Sequence, residues 1–79
     1  MDTVKTEQVN LENLHDCFQY QPWDSEQTTI GTKVREALEA AARVILENVP
    51  PCADRTVAIR KLREARMDAN SAISFKGRF

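Results

Sequence analysis

Apolar residues recur at spacings of three and four along most of this 79-residue chain, the period of an amphipathic helix. Ile30, Val34, Ala37, Leu38, Ala41, Ile45 and Val49 mark one face of a helix predicted over residues 25–48. Asp24 stands at its N-cap with Gln27 three positions on, a capping-box pairing, and Trp23 precedes the cap where a hydrophobic staple would sit. Pro50 and Pro51 stop that helix and form a short connector. A second helix is predicted over 53–75, with Cys52 at its cap, Asp54 in its first turn, Lys76 near its end and Gly77 as the C′ stop. Its seam is Ala58, Leu62, Ala65, Ala69, Ala72 and Ile73, and so many small residues allow a close approach of the two helices. Ile59 and Met67 fall off the seam and give this helix a second apolar edge. Each helix is roughly 33–36 Å long at 1.5 Å per residue, too long for one hairpin to cover all its faces.

Upstream, Leu11, Leu14 and Phe18 predict a short helix over 6–17 with a narrow stripe. His15 lies beside that stripe, either as a half-buried packing residue or as a ligand contact. In "FQYQPW", Pro22 turns Gln21 away from helix, so this aromatic stretch is expected to be extended. Phe18 and Trp23 are expected to plug the hairpin, whereas Tyr20 can keep one ring face exposed. Gly31 weakens the first turns of its helix by about 1 kcal/mol relative to alanine. Close approach of a ligand or backbone would explain it, and so would simple packing. The chain thus reads as all-α and as one domain over 1–79: a short N-terminal helix, then a long antiparallel hairpin.

Composition turns this reading towards assembly. Hydrophobic residues make up 42% of the chain but aromatics only 6%, so the core is thin and rich in alanine. At this length a disulfide, a metal or oligomerisation usually supplies the missing stability. Cys17 and Cys52 do not suggest a disulfide framework, and with His15 they match no zinc spacing. Oligomerisation remains, and more than two subunits are expected because a second apolar edge needs a second partner. "MDTVKTEQVNLENL" lacks the apolar core of a signal peptide, and no stretch has the ~20 apolar residues of a membrane span, so a soluble intracellular protein is expected.

The net charge of −1 hides an asymmetry. Residues 1–50 hold four basic against nine acidic residues, a balance of −5, and residues 51–79 hold seven against three, a balance of +4. A basic half suits an anionic partner. For Arg55, Arg60, Lys61, Arg63 and Arg66 individually, the alternatives are an inter-helix ion pair or plain solvation. Duplex nucleic acid is not indicated, since no turn motif presents a recognition helix and the pI is near 5.8. No phosphate-binding glycine loop, metal motif or nucleophile–base constellation is present, so neither an enzyme nor a cofactor is expected. The chain reads as one built to bind.

"PPCADRTVAIRKLREARMDANSAI" (residues 50–73), with "FQYQP" and "KVREAL" upstream, resembles a family of small phage proteins. These are the anti-CBASS cyclic-oligonucleotide sponges and the related hairpin domain of Thoeris anti-defence sponges. The likeness spans about residues 18–77 and departs around "DSEQTTIGT", which is more polar here and contains Gly31. It implies a helical hairpin with a short N-terminal helix, commonly assembled as a hexamer and acting in the host cytoplasm. It further implies capture, without cleavage, of cyclic dinucleotides at dimer interfaces and, in some members, cyclic trinucleotides near three-fold axes. Carried over by position, ligand contacts fall on Tyr20, on Arg35 fifteen residues later, and on Lys76 for the trinucleotide. The rival reading is a structural or regulatory hairpin that binds another protein through its exposed apolar edge.

Overall fold

The computed structural model describes residues 6–79. Among them are three helices and no strand: α1 (Leu14–Cys17), α2 (Ser25–Asn48) and α3 (Ala53–Ser74). Helices α2 and α3 pack against one another as the expected hairpin, joined across Pro50 and Pro51.

Local chemistry sets the ends of the hairpin helices. Asp24 Oδ1 accepts the Gln27 N–H at 2.8 Å and Gln27 Oε1 accepts the Asp24 N–H at 3.0 Å, which completes the capping box. The amide end of the same side chain crosses the hairpin: Gln27 Nε2 donates to the Ile73 carbonyl at 2.8 Å. One nearly buried glutamine therefore caps α2 and also satisfies a carbonyl in the last turn of α3. Trp23 makes a second bridge, donating from Nε1 to Ser74 Oγ at 2.7 Å. Its ring lies where a side chain at Gly31 would stand, so packing against tryptophan accounts for that glycine.

The end of α3 differs from the expected stop at Gly77. The Gly77 N–H donates to the Ala72 carbonyl at 3.0 Å and the Lys76 N–H to the Ile73 carbonyl at 3.2 Å, the paired bonds of a Schellman motif. The C′ position is therefore Lys76, with φ of 53°, and Gly77 is C″. A lysine in the left-handed region costs of order 1 kcal/mol that a glycine would not.

The helix expected over 6–17 shrinks to the single turn of α1. Two asparagines divert the backbone. Asn10 Oδ1 accepts the N–H groups of Glu12 and Asn13, Asn13 Oδ1 accepts that of Asn10, and Asn13 Nδ2 donates to the Gln8 carbonyl. Such short-range bonds offer the chain an alternative to helix, and here they win. Phe18 does not plug the hairpin either, being 80% exposed. With the helix so short, nothing turns its ring inward, and Trp23 alone takes the packing role.

No apolar side chain among the described residues is fully buried. Val34, Leu38, Ala41 and Ile45 of α2 and Ala58, Leu62, Ala69 and Ile73 of α3 are half-buried along the seam. Ile30, Ala37, Ala65 and Ala72, also expected there, are exposed. The accessible surface is 6658 Å², against ~4,900 Å² for a compact protein of this mass. The radius of gyration is 15.7 Å, where a compact chain of this length has roughly 12 Å.

Candidate functional site

Arginines gather on one face of the hairpin. Half-buried Leu38, Ala42, Ile59 and Leu62 line a groove of about 410 Å³ between α2 and α3, with exposed Arg35, Arg63, Arg66 and Glu39 around it. Towards the connector, Ile59 and Arg63 also line a second depression of about 270 Å³ with Leu46, Arg55, Thr56 and Arg60. Helical spacing explains the arrangement. Leu38, Ala42 and Leu46 are four apart on α2, and Arg55, Ile59, Leu62, Arg63 and Arg66 fall on one side of α3.

None of Arg35, Arg60, Lys61, Arg63 and Arg66 lies within 4 Å of a carboxylate among the described residues. Among the described residues, then, these side chains are solvated rather than ion-paired. Arg55 donates to the Val49 carbonyl at 3.2 Å and so ties the connector. Around the larger groove three guanidinia face one carboxylate, an environment that favours an anion with a flat apolar part.

The other candidate residues stand at the opposite end. Tyr20 is 87% exposed and lines a depression of about 430 Å³ with Trp23, Ser71, Ser74 and Phe75. Lys76 lines an adjoining depression of about 390 Å³ with Asp16 and Arg78. The two share Gln19, Gln21, Ser74 and Phe75, so one chain brings Tyr20 and Lys76 to the same end of the hairpin. It does not bring Tyr20 and Arg35 into one depression.

His15 is exposed rather than half-buried, and Gln19 Nε2 lies 3.3 Å from its Nδ1. The cause is again the single-turn α1, which has no face to bury. Cys17 and Cys52 are free thiols, and Cys52 sits at the N-cap of α3 without a side-chain capping bond. No cluster of three or more His, Cys, Asp or Glu side chains occurs among the described residues. No helix there is long and apolar enough to cross a membrane.

Arg78 was not legible in the sequence. Its guanidinium donates through Nε to the Glu7 carboxylate and through Nη2 to Asp16 Oδ2 at 3.1 Å. The hydrogen bond to Glu7 foremost, then that to Asp16, raises its pKa above the ordinary arginine value. A contact between positions 7 and 78 leaves no trace in local spacing.

No curated protein and no solved structure matches the chain. A family model does, that of the Acb2/Tad1 hairpin domain, over residues 8–74. That segment contains the cap, both hairpin helices, the arginine-lined groove and Tyr20, and its family is one of binding domains. The chain belongs to the Acb2/Tad1 hairpin-domain family, the family of anti-CBASS and anti-Thoeris sponge proteins.

Proposed function

We propose that several copies of this hairpin assemble and that the assembly sequesters cyclic oligonucleotide second messengers in the host cytoplasm, releasing them chemically unchanged. Cyclic dinucleotides are the first choice of ligand and cyclic trinucleotides the second. The observation that carries the reading is a set of guanidinia around an apolar groove that have no carboxylate within 4 Å among the described residues, on a hairpin where none of those residues buries an apolar side chain completely.

The chemistry supports this choice. A cyclic dinucleotide offers flat base faces and phosphodiester charges in one molecule. Arginine can stack on a base while reaching a phosphate, and tyrosine supplies a second stacking face. Tyr20 and Arg35 line different depressions of one chain, and in the proposed assembly neighbouring copies bring them to one ligand. A two-fold seam would present each pair twice, which matches the approximate symmetry of the ligand. Lys76, beside Tyr20's depression, is the candidate contact for a trinucleotide. The surface in excess of a compact chain, roughly 1,800 Å², is about twice the ~800 Å² that each partner loses in a standard protein interface. An assembly of more than two copies, with a hexamer the family's usual form, covers it.

A thermal-shift panel of cyclic di- and trinucleotides and cyclic ADP-ribose isomers, with light scattering on the same samples, tests the reading. A ligand at 100 times its dissociation constant adds about 2.7 kcal/mol of stability. A folded monomer at micromolar concentration refutes the assembly. A multimer that no member of the panel stabilises favours the protein-interaction alternative; of its expected edge Met67 is exposed, whereas Ile59 is half-buried in the groove.

A further inference from the structure

The tail that follows α3 doubles back onto the segment before α1. The Arg78 carbonyl accepts the Glu7 N–H at 2.6 Å, while the Arg78 side chain holds the carboxylates of Glu7 and Asp16 together. Phe79 steadies the guanidinium, its ring centroid 4.8 Å away, and packs edge-on against Phe75 with centroids 5.4 Å apart. These are the only ion pairs among the described residues. From Asp16 the connection runs on, since its carbonyl accepts the Gln19 N–H at 3.3 Å and Tyr20 comes next. Glu7 and Arg78 both lie outside the segment that the family model matches, so the tie belongs to this chain's own flanks.

We infer that Arg78 is a positioning residue, clasping Glu7 and Asp16 so that the 7–20 segment is held against the end of α3 with Tyr20 oriented for ligand. The inference rests on the reading of Tyr20 as a ligand contact. Little else ties segment 7–20 to the hairpin: the Asn10 and Asn13 bonds stay within the segment, α1 is one turn, and Leu11, Phe18 and Tyr20 are each at least 80% exposed. A loosened segment leaves Tyr20 competent for only part of the time, and apparent affinity falls by that fraction. The guanidinium reaches its two carboxylates from two nitrogens at a fixed spacing, Nε and Nη2, which the single nitrogen of an ammonium matches less well.

The test measures amide hydrogen exchange and the affinity for cyclic di-AMP, cyclic di-GMP and cyclic GMP–AMP in the full chain and its variants. Arg78→Ala is expected to speed exchange across residues 7–20, leave the α2 and α3 amides unchanged, and weaken binding roughly three- to tenfold, the scale of losing two exposed ion pairs. Arg78→Lys should recover only part of this, and the exchanged pair Glu7→Arg with Arg78→Glu should recover more than either single change. Faster exchange with unchanged affinity overturns the positioning role alone. Unchanged exchange in Arg78→Ala overturns the clasp itself, and faster exchange throughout α2 and α3 makes Arg78 a folding residue instead. A parent chain that binds none of the three probes overturns the ligand reading and the positioning role together.

Discussion

Replacing Gly31 by alanine sets two effects of similar size against each other. Helix propensity alone says that the change stabilises, by about 1 kcal/mol in a helix interior. The structure reverses the sign. An alanine Cβ would lie inside contact distance of three Trp23 ring atoms, at 2.6 Å from one of them, so the indole must move. Overpacking of this kind costs typically ~1–3 kcal/mol. A displaced indole also loses its bond to Ser74 Oγ, a net ~1 kcal/mol. Subtracting the propensity gain leaves a loss of about 1–3 kcal/mol, or roughly 5–20 °C in melting temperature for a chain of this size. Trp23 is the chain's only tryptophan, so fluorescence-detected urea unfolding at fixed protein concentration reports both the stability and the ring's environment. Native emission should shift to the red in Gly31→Ala. Ser74→Ala, which removes only the hydrogen bond, should cost about 1 kcal/mol and leave emission nearly unchanged. A Gly31→Ala chain at least as stable as the parent, with unaltered emission, refutes the packing argument.

Gln27→Ala removes one bond from each end of the hairpin's open side and should cost ~1–3 kcal/mol in the same unfolding measurement, more than Thr28→Ala beside it. Lys76→Gly relieves the left-handed lysine and should raise stability by roughly 1 kcal/mol while weakening any cyclic trinucleotide binding seen by calorimetry. Tyr20→Ala should cost ~1–3 kcal/mol of cyclic dinucleotide binding without changing assembly, and Arg35→Ala a similar amount with a shallower salt dependence. Leu62→Ala should cost about 2–5 kcal/mol if assembly buries this half-exposed residue completely; a loss below about 1 kcal/mol would mean that its groove stays open.

The parts of the fold that were legible in the sequence are those set by neighbours in the chain. The Asp24–Gln27 box, the double proline and the four-residue spacing of Leu38, Ala42 and Leu46 each act within a turn or two, so pattern and structure agree on α2 and α3. The misread parts involve competition. Leu11, Leu14 and Phe18 have helical spacing, but Asn10 and Asn13 offer the same backbone a tighter set of bonds, and no packed face repays the helix. At the end of α3, a glycine two residues past the helix suggested C′, whereas the bond pattern puts Lys76 there. The site is legible in its residue types and not in its geometry. Tyr20 and Arg35 are visible as an aromatic and a cation, yet the chain places them in separate depressions. The second role of Gln27 and the clasp of Arg78 join residues 46 and 71 positions apart, beyond the reach of any local pattern.

The thin core and the arginines around the groove have a common consequence under the proposed function. A surface excess of this size favours burying the apolar groove against another copy. That burial would strip water from Arg35, Arg63 and Arg66, with Glu39 the one carboxylate among the described residues that line the groove, and enclosing like charges without enough counter-charge is costly. A small anion held in the seam supplies the missing charge, and its bases cover apolar surface that solvent would otherwise wet. Assembly and ligand capture then draw on the same residues, so each strengthens the other. Removing a guanidinium should accordingly weaken the ligand while sparing, or even tightening, the empty assembly. Removing an apolar residue beneath it should weaken both. That opposite response of Arg63→Ala and Leu38→Ala, read by light scattering with and without cyclic dinucleotide, separates a seam that holds an anion from an ordinary protein-binding groove, where both changes would reduce association alike.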